Sequence, residues 1–74
     1  MNYSYDNGKF VKRLQELIKE KGLNNFRLSV ESGIPRTTIV NWLNRCTVPN
    51  INALCVLADY FKCSVDFLIG REEY

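Results

Sequence analysis

The sequence predicts an all-α fold, a compact bundle of five short helices containing a helix-turn-helix. Three observations carry this. Apolar residues recur at helical spacing in five separate stretches, and no stretch alternates as a strand would. Asn24, Asn50 and Ser64 each stand immediately before such a stretch, where a side-chain oxygen caps the free N–H groups of a helix. Two of the stretches are separated by a short turn built on Gly33, the signature of two helices packed at a steep angle.

The first helix is expected over Lys9–Lys21, with Phe10, Leu14, Leu17 and Ile18 on one face and Gly22 as its stop. The second follows Asn24 and runs to Ser32, with Leu28 and Ser29 inward and Phe26 as a third candidate. Gly33 and Ile34 turn the chain. Pro35 suits the start of the third helix, where its missing N–H costs nothing. That helix ends near Asn44 and buries Ile39, Trp42 and Leu43. A loop, Arg45-Cys46-Thr47-Val48-Pro49, precedes the fourth helix, which carries Leu54, Leu57, Ala58 and Phe61 inward. The fifth is short, turns Val65 and Leu68 inward, and stops at Gly70. Residues 1–8 read as an N-terminal arm, 9–70 as the folded domain and 71–74 as a tail.

With 74 residues, one domain with a small core is expected. An apolar fraction of 46% argues against disorder. No apolar run approaches the roughly 20 residues of a membrane span. The first residues lack the basic and apolar regions of a signal peptide, so a cytoplasmic chain is expected. There is no histidine, and Cys46, Cys55 and Cys63 are too widely spaced for a zinc pattern. No metal and no cofactor is expected. With no nucleophile–base pattern and no phosphate loop, an enzyme is not expected either.

Charge distribution says more than the net charge of +2. Between Glu31 and Asp59 there is no acidic residue, and the only charges there are Arg36 and Arg45. The outer face of the third helix carries Arg36, Thr37, Thr38, Val40 and Asn41. A surface helix built only for stability would be rich in Glu and Lys. A presented helix that shows Arg, Thr and Asn without acids is suited to lie against a polyanion such as DNA.

The order and spacing of several short pieces also resemble the phage repressor and Cro-type helix-turn-helix family. The pieces are Arg13-Leu14, Lys21-Gly22-Leu23-Asn24, Leu28-Ser29, the run from Ser32 to Ile39, Asn41-Trp42-Leu43-Asn44, Pro49, the run from Leu57 to Phe61, and the run from Ser64 to Gly70. The resemblance spans Phe10–Gly70 and implies a lambda-repressor-like five-helix domain. It further implies sequence-specific binding of double-stranded DNA, usually as a homodimer, and control of transcription, here as a repressor. It places Arg36, Thr37, Thr38 and Asn41 where the family reads base edges. The chemistry suits that role: Arg pairs bidentately with guanine, Asn with adenine, and a Thr methyl touches the thymine methyl. Asn25 stands where the family most often has Gln to grip a phosphate. Asn44 and Arg45 match a second backbone-contacting segment, with Arg27 and Arg13 as further phosphate candidates. Phe67 and Ile69 are the candidates for a two-fold interface.

Two departures from the family pattern generate expectations. The family commonly pairs an Arg in the first helix with a Glu in the third. This chain has Ile18 and Leu43 there, which are expected to meet in the core. The family also favours Gly after the third and fourth helices, so Arg45 and Lys62 are expected in a left-handed conformation. A different class of function remains open, a protein-interaction or antitoxin-type adaptor on the same fold. Four tyrosines expected at the surface, Tyr3, Tyr5, Tyr60 and Tyr74, leave room for it.

Overall fold

The computed structural model describes residues 5–71. Five helices follow one another: α1 (Asn7–Glu20), α2 (Asn25–Ser32), α3 (Arg36–Arg45), α4 (Ile51–Phe61) and α5 (Val65–Leu68). Among the described residues there is no strand. The fold is all-helical and contains a helix-turn-helix formed by α2 and α3, as expected. Tyr3 and Tyr74, with the rest of residues 1–4 and 72–74, lie outside the described residues.

Local chemistry explains most boundaries. Asn24, Asn50 and Ser64 accept bonds from the N–H groups of Arg27, Ala53 and Phe67. α1 begins two residues earlier than expected. The Asp6 side chain accepts the Gly8 N–H at 2.9 Å, so Asn7 and Gly8 form the first helical turn rather than part of an arm. Pro35 sits just outside α3, with Arg36 as the first helical residue.

The core gathers residues from every helix. Phe10, Leu14, Leu28, Ile39, Leu57 and Leu68 are fully enclosed. Trp42 packs edge-on against Phe10, ring centroids 5.7 Å apart. Aromatic pairs of this kind contribute roughly 0.5–1.5 kcal/mol beyond their burial. Val11 is buried although the sequence pattern did not mark it, whereas Leu17 and Ile18 only pack on the core from its edge. Leu43 does likewise. Phe26 points out, 61% exposed, because Leu28 alone occupies the inward side of the short α2.

The turn between α2 and α3 is bonded on both sides. Gly33 takes φ +80°, which a side chain would resist, and its N–H reaches the Ser29 carbonyl at 2.9 Å. The Ser29 hydroxyl donates to the Ile34 carbonyl at 2.6 Å. The Ser32 hydroxyl donates to the Leu28 carbonyl and accepts the Ile34 N–H. Half-buried Ser29 thus ties α2 to the turn that leads into α3, a bond the apolar pattern did not reveal.

The far end of α3 is fixed by a different part of the chain. The Asn7 amide donates to the carbonyls of Cys46 and Thr47, at 2.6 and 3.1 Å. The expected left-handed residue after α3 is corrected by one position. Arg45 is helical, and Cys46 takes φ +55° as the helix closes on the Asn41 carbonyl. Lys62 does turn left-handed, at φ +57°.

Candidate nucleic-acid interface

The outward face of α3 begins with Arg36 and Thr37, both exposed, followed by half-buried Thr38. One turn on come half-buried Val40 and exposed Asn41, then exposed Asn44 and Arg45. Arg36, Thr37, Val40, Asn41 and Arg45 line one shallow, open concavity. The structure thus brings together on one surface Arg36, Thr37 and Asn41 of the expected base-reading set and Arg45 of the backbone set. No side chain caps the start of α3. The first N–H groups of a helix lie outside its own ladder and carry the positive end of its dipole.

Asn25 opens α2 and is half-buried. Asn24 beside it has its oxygen committed to the Arg27 N–H at 2.7 Å. Two other candidate phosphate ligands are engaged within the chain. Arg27 pairs with Glu31 one turn along α2, Nε to carboxylate at 2.7 Å. The other oxygen of Glu31 accepts the Tyr60 hydroxyl from α4. Hydrogen bonds from Tyr60, first, and from Arg27 hold the Glu31 carboxyl below its usual range. The bond to Glu31 raises the Tyr60 phenol, and likewise raises Arg27. Arg13 stacks its guanidinium over the Phe67 ring, 4.3 Å from the centroid.

The tyrosines divide. Tyr5 is exposed and bonds Asn7 at 2.5 Å. Tyr60, expected at the surface, is half-buried: its ring packs against the core and on Phe61, Glu31 accepts its hydroxyl, and the Lys21 ammonium lies 4.7 Å from its ring centroid. Phe67 and Ile69 are half-buried, with Ile69 packed on the core. A second concavity between α1 and α5 is lined by Lys9, Lys12, Arg13, Glu16, Phe67 and Gly70. Unlike the α3 surface, it includes a carboxylate.

Among the described residues, no group of His, Cys, Asp and Glu is placed to hold a metal ion, and no helix is long and apolar enough to cross a membrane. The three cysteines are free, with Cys46 and Cys55 exposed. Sequence reasoning placed Ser29 inward without its bond to Ile34, and missed the roles of Asn7 and of the Ser32 hydroxyl. Residue type gives no signal for Asn7, whose acceptors lie 39 and 40 positions away.

The profile of the Cro/C1-type HTH DNA-binding domain family matches residues 13–73. Among solved structures, the chain is similar to a transcriptional regulator from Listeria innocua, with 29% identity and a TM-score of 0.76 over 97% of this chain. The chain spans 64% of the length of that regulator. No protein of curated function matches.

Proposed function

The chain belongs to the family of Cro/C1-type HTH DNA-binding domains, and from that premise we propose that it represses transcription by occupying a short pseudo-palindromic operator. α3 enters the major groove and α2 crosses the backbone. Arg36 and Asn41 pair with guanine and adenine, and Thr37 and Thr38 contact neighbouring base edges. Asn25 at the start of α2, Asn44 and Arg45 hold phosphates on either side and set the register without reading sequence. Arg27 and Arg13 are secondary, since each already has a partner within the chain.

The observation that carries this reading is the α3 surface itself. Arg36, Thr37, Asn41 and Arg45 share one open concavity, in the acid-free stretch between Glu31 and Asp59. Two copies meeting through Phe67 and Ile69 would set their half-sites about one helical turn, roughly 34 Å, apart.

Selection of bound sequences from random duplex DNA tests the proposal. The protein enriches a two-fold motif at moderate salt. Arg36→Ala or Asn41→Ala costs about 1–3 kcal/mol of discrimination at one base position per half-site. Failure to enrich any motif would transfer belief to an adaptor on the same fold. Sedimentation that finds only monomer, with and without the enriched duplex, would remove the dimer.

A further inference from the structure

Asn7 makes bonds that its own helix does not need. It is the first residue of α1, whose start is already capped by the Asp6 side chain. Asparagine also forms helix less well than Ala, Glu or Lys. Its half-buried amide reaches instead to the end of α3. Carbonyl oxygens only accept, so the amide nitrogen must face Cys46 and Thr47, with one N–H for each. The amide oxygen accepts the Tyr5 hydroxyl. The side chain is thereby oriented from both ends.

The two residues it holds are those at which α3 stops. The Cys46 and Thr47 N–H groups both bond to the Asn41 carbonyl, the second at 3.4 Å. Their own carbonyls both bond to Asn7. Cys46 is left-handed, a conformation that a side chain resists. Helix ends fray, and Asn7 ties this one to α1. Arg45 stands immediately before the pair, as the last helical residue. It is exposed and lines the concavity with Arg36 and Asn41. A guanidinium on a fixed backbone has less freedom to lose when it meets a ligand than one on a frayed end.

We propose that Asn7 is a positioning residue for DNA binding: through Cys46 and Thr47 it holds the end of α3 so that Arg45 meets a phosphate. The inference rests on the reading of Arg45 as a phosphate ligand, and adds a residue of another helix that does not touch DNA. Asn7 is not itself the ligand, because both of its N–H groups are engaged. Tyr5 contributes at one remove, by keeping the amide the right way round.

The test uses the full chain and the duplex enriched by selection. Affinity is measured over a range of salt for wild type, Asn7→Ala, Arg45→Ala and the double variant, with circular dichroism showing that each is folded at the temperature used. Arg45→Ala lowers the slope of log K against log salt by about 0.9, the value of one phosphate contact. Asn7→Ala is expected to lower it by a comparable amount, and the double variant to fall no further. The losses of affinity then depart from additivity by more than about threefold, as coupled sites do. Tyr5→Phe, a milder change that keeps the ring, shifts the slope the same way by less, and carries the test should Asn7→Ala unfold. A variant that was merely less stable would bind with a smaller active fraction and an unchanged slope. If Arg45→Ala lowers the slope and neither Asn7→Ala nor Tyr5→Phe does, the positioning role is refuted. If the losses of Asn7→Ala and Arg45→Ala simply add, Asn7 acts on DNA independently and the role is refuted as well. If Arg45→Ala leaves the slope unchanged, or selection enriches no duplex, the reading of Arg45 as a phosphate ligand falls first and takes this inference with it.

Discussion

Replacing Cys46 by glycine should stabilise the domain without touching its hold on DNA. Cys46 caps α3 at φ +55° and ψ +36°. A left-handed backbone costs a residue with a side chain about 1–2 kcal/mol. Glycine removes that strain, but it adds about 0.5–1 kcal/mol of entropy to the unfolded chain. With mid-range values the net gain is about 0.75 kcal/mol, which for a domain of this size raises Tm by roughly 3–6 °C. The Asn7 bonds at this point reach carbonyl oxygens, so glycine preserves them. Lys62→Gly, at φ +57°, should behave alike. Arg45→Gly should do the opposite. Arg45 is the last helical residue of α3, and glycine in a helix costs up to about 1 kcal/mol. The three variants are compared by thermal unfolding followed by circular dichroism, and by the salt dependence of DNA affinity. Cys46→Gly keeps the slope of log K against log salt, whereas Arg45→Gly reduces it by about 0.9, the value of one lost phosphate contact. A higher Tm for Arg45→Gly, or a lower one for Cys46→Gly, would refute the assignment of the left-handed residue.

Gly33→Ala and Gly70→Ala share a left-handed backbone, at φ +80° and +84°, but not surroundings. A Cβ at Gly33 meets nothing within 4 Å, whereas one at Gly70 would lie 2.7 Å from the Lys9 Cβ. Gly33→Ala should therefore cost about 1–2 kcal/mol and Gly70→Ala clearly more, and equal losses in chemical denaturation would contradict the packing of α1 on Gly70. Ile18→Ala and Leu43→Ala should show a coupling of at least about 0.5 kcal/mol in a double-mutant cycle if the two side chains replace the family's ion pair by contact; strict additivity would show that they do not touch. The depressed Glu31 carboxyl gives a pH dependence of known sign. Its contribution to stability is present above the ordinary glutamate pKa and is lost as pH falls through the lower folded value. Unfolding measured across that acid range in wild type and Glu31→Gln should differ in slope, and parallel curves would mean that the Tyr60 and Arg27 contacts do not persist in solution.

The parts of this fold that were legible in the sequence are those whose cause is local. A cap acts over three residues, so Asn24, Asn50 and Ser64 announce α2, α4 and α5. The inward stripe of α4 repeats at helical spacing, and Leu54, Leu57, Ala58 and Phe61 are all buried. The exposed face of α3 could be read because a missing acid is visible in the chain itself. Errors arose where distant residues decide. Nothing between Asn44 and Thr47 distinguishes a helix ending at Asn44 from one ending at Arg45. The Asn7 amide, bonded to the Cys46 and Thr47 carbonyls, accompanies the later end. Phe26 was an ambiguous inward candidate because α2 is only eight residues long. Two turns define an apolar direction poorly. Tyr60 looked like a surface tyrosine because its partner, Glu31, lies 29 residues away.

That same partner bears on how α3 stays attractive to DNA. Glu31 is the last acid before the acid-free stretch and stands five residues ahead of Arg36. A lone carboxylate so near would oppose a phosphate, since charges closer than about 8–10 Å are only partly screened at physiological salt. Here one oxygen is taken by Arg27 and the other by Tyr60 of α4. Arg27 thus has two separable ways to favour binding: by direct contact with a phosphate, or by offsetting Glu31. Combining Arg27→Ala with Glu31→Gln separates them. If Arg27 acts by offsetting Glu31, the single Arg27→Ala variant binds DNA more weakly and the double variant returns to wild-type affinity with an unchanged salt slope. If it is a phosphate ligand, the double variant stays weaker and its slope falls by about 0.9. The pair geometry favours the first outcome, because the guanidinium is drawn one turn along α2 toward its C-terminal end, away from the first turn proposed to meet a phosphate. On that outcome the hydrogen bond from Tyr60 to Glu31 would influence DNA affinity without touching DNA.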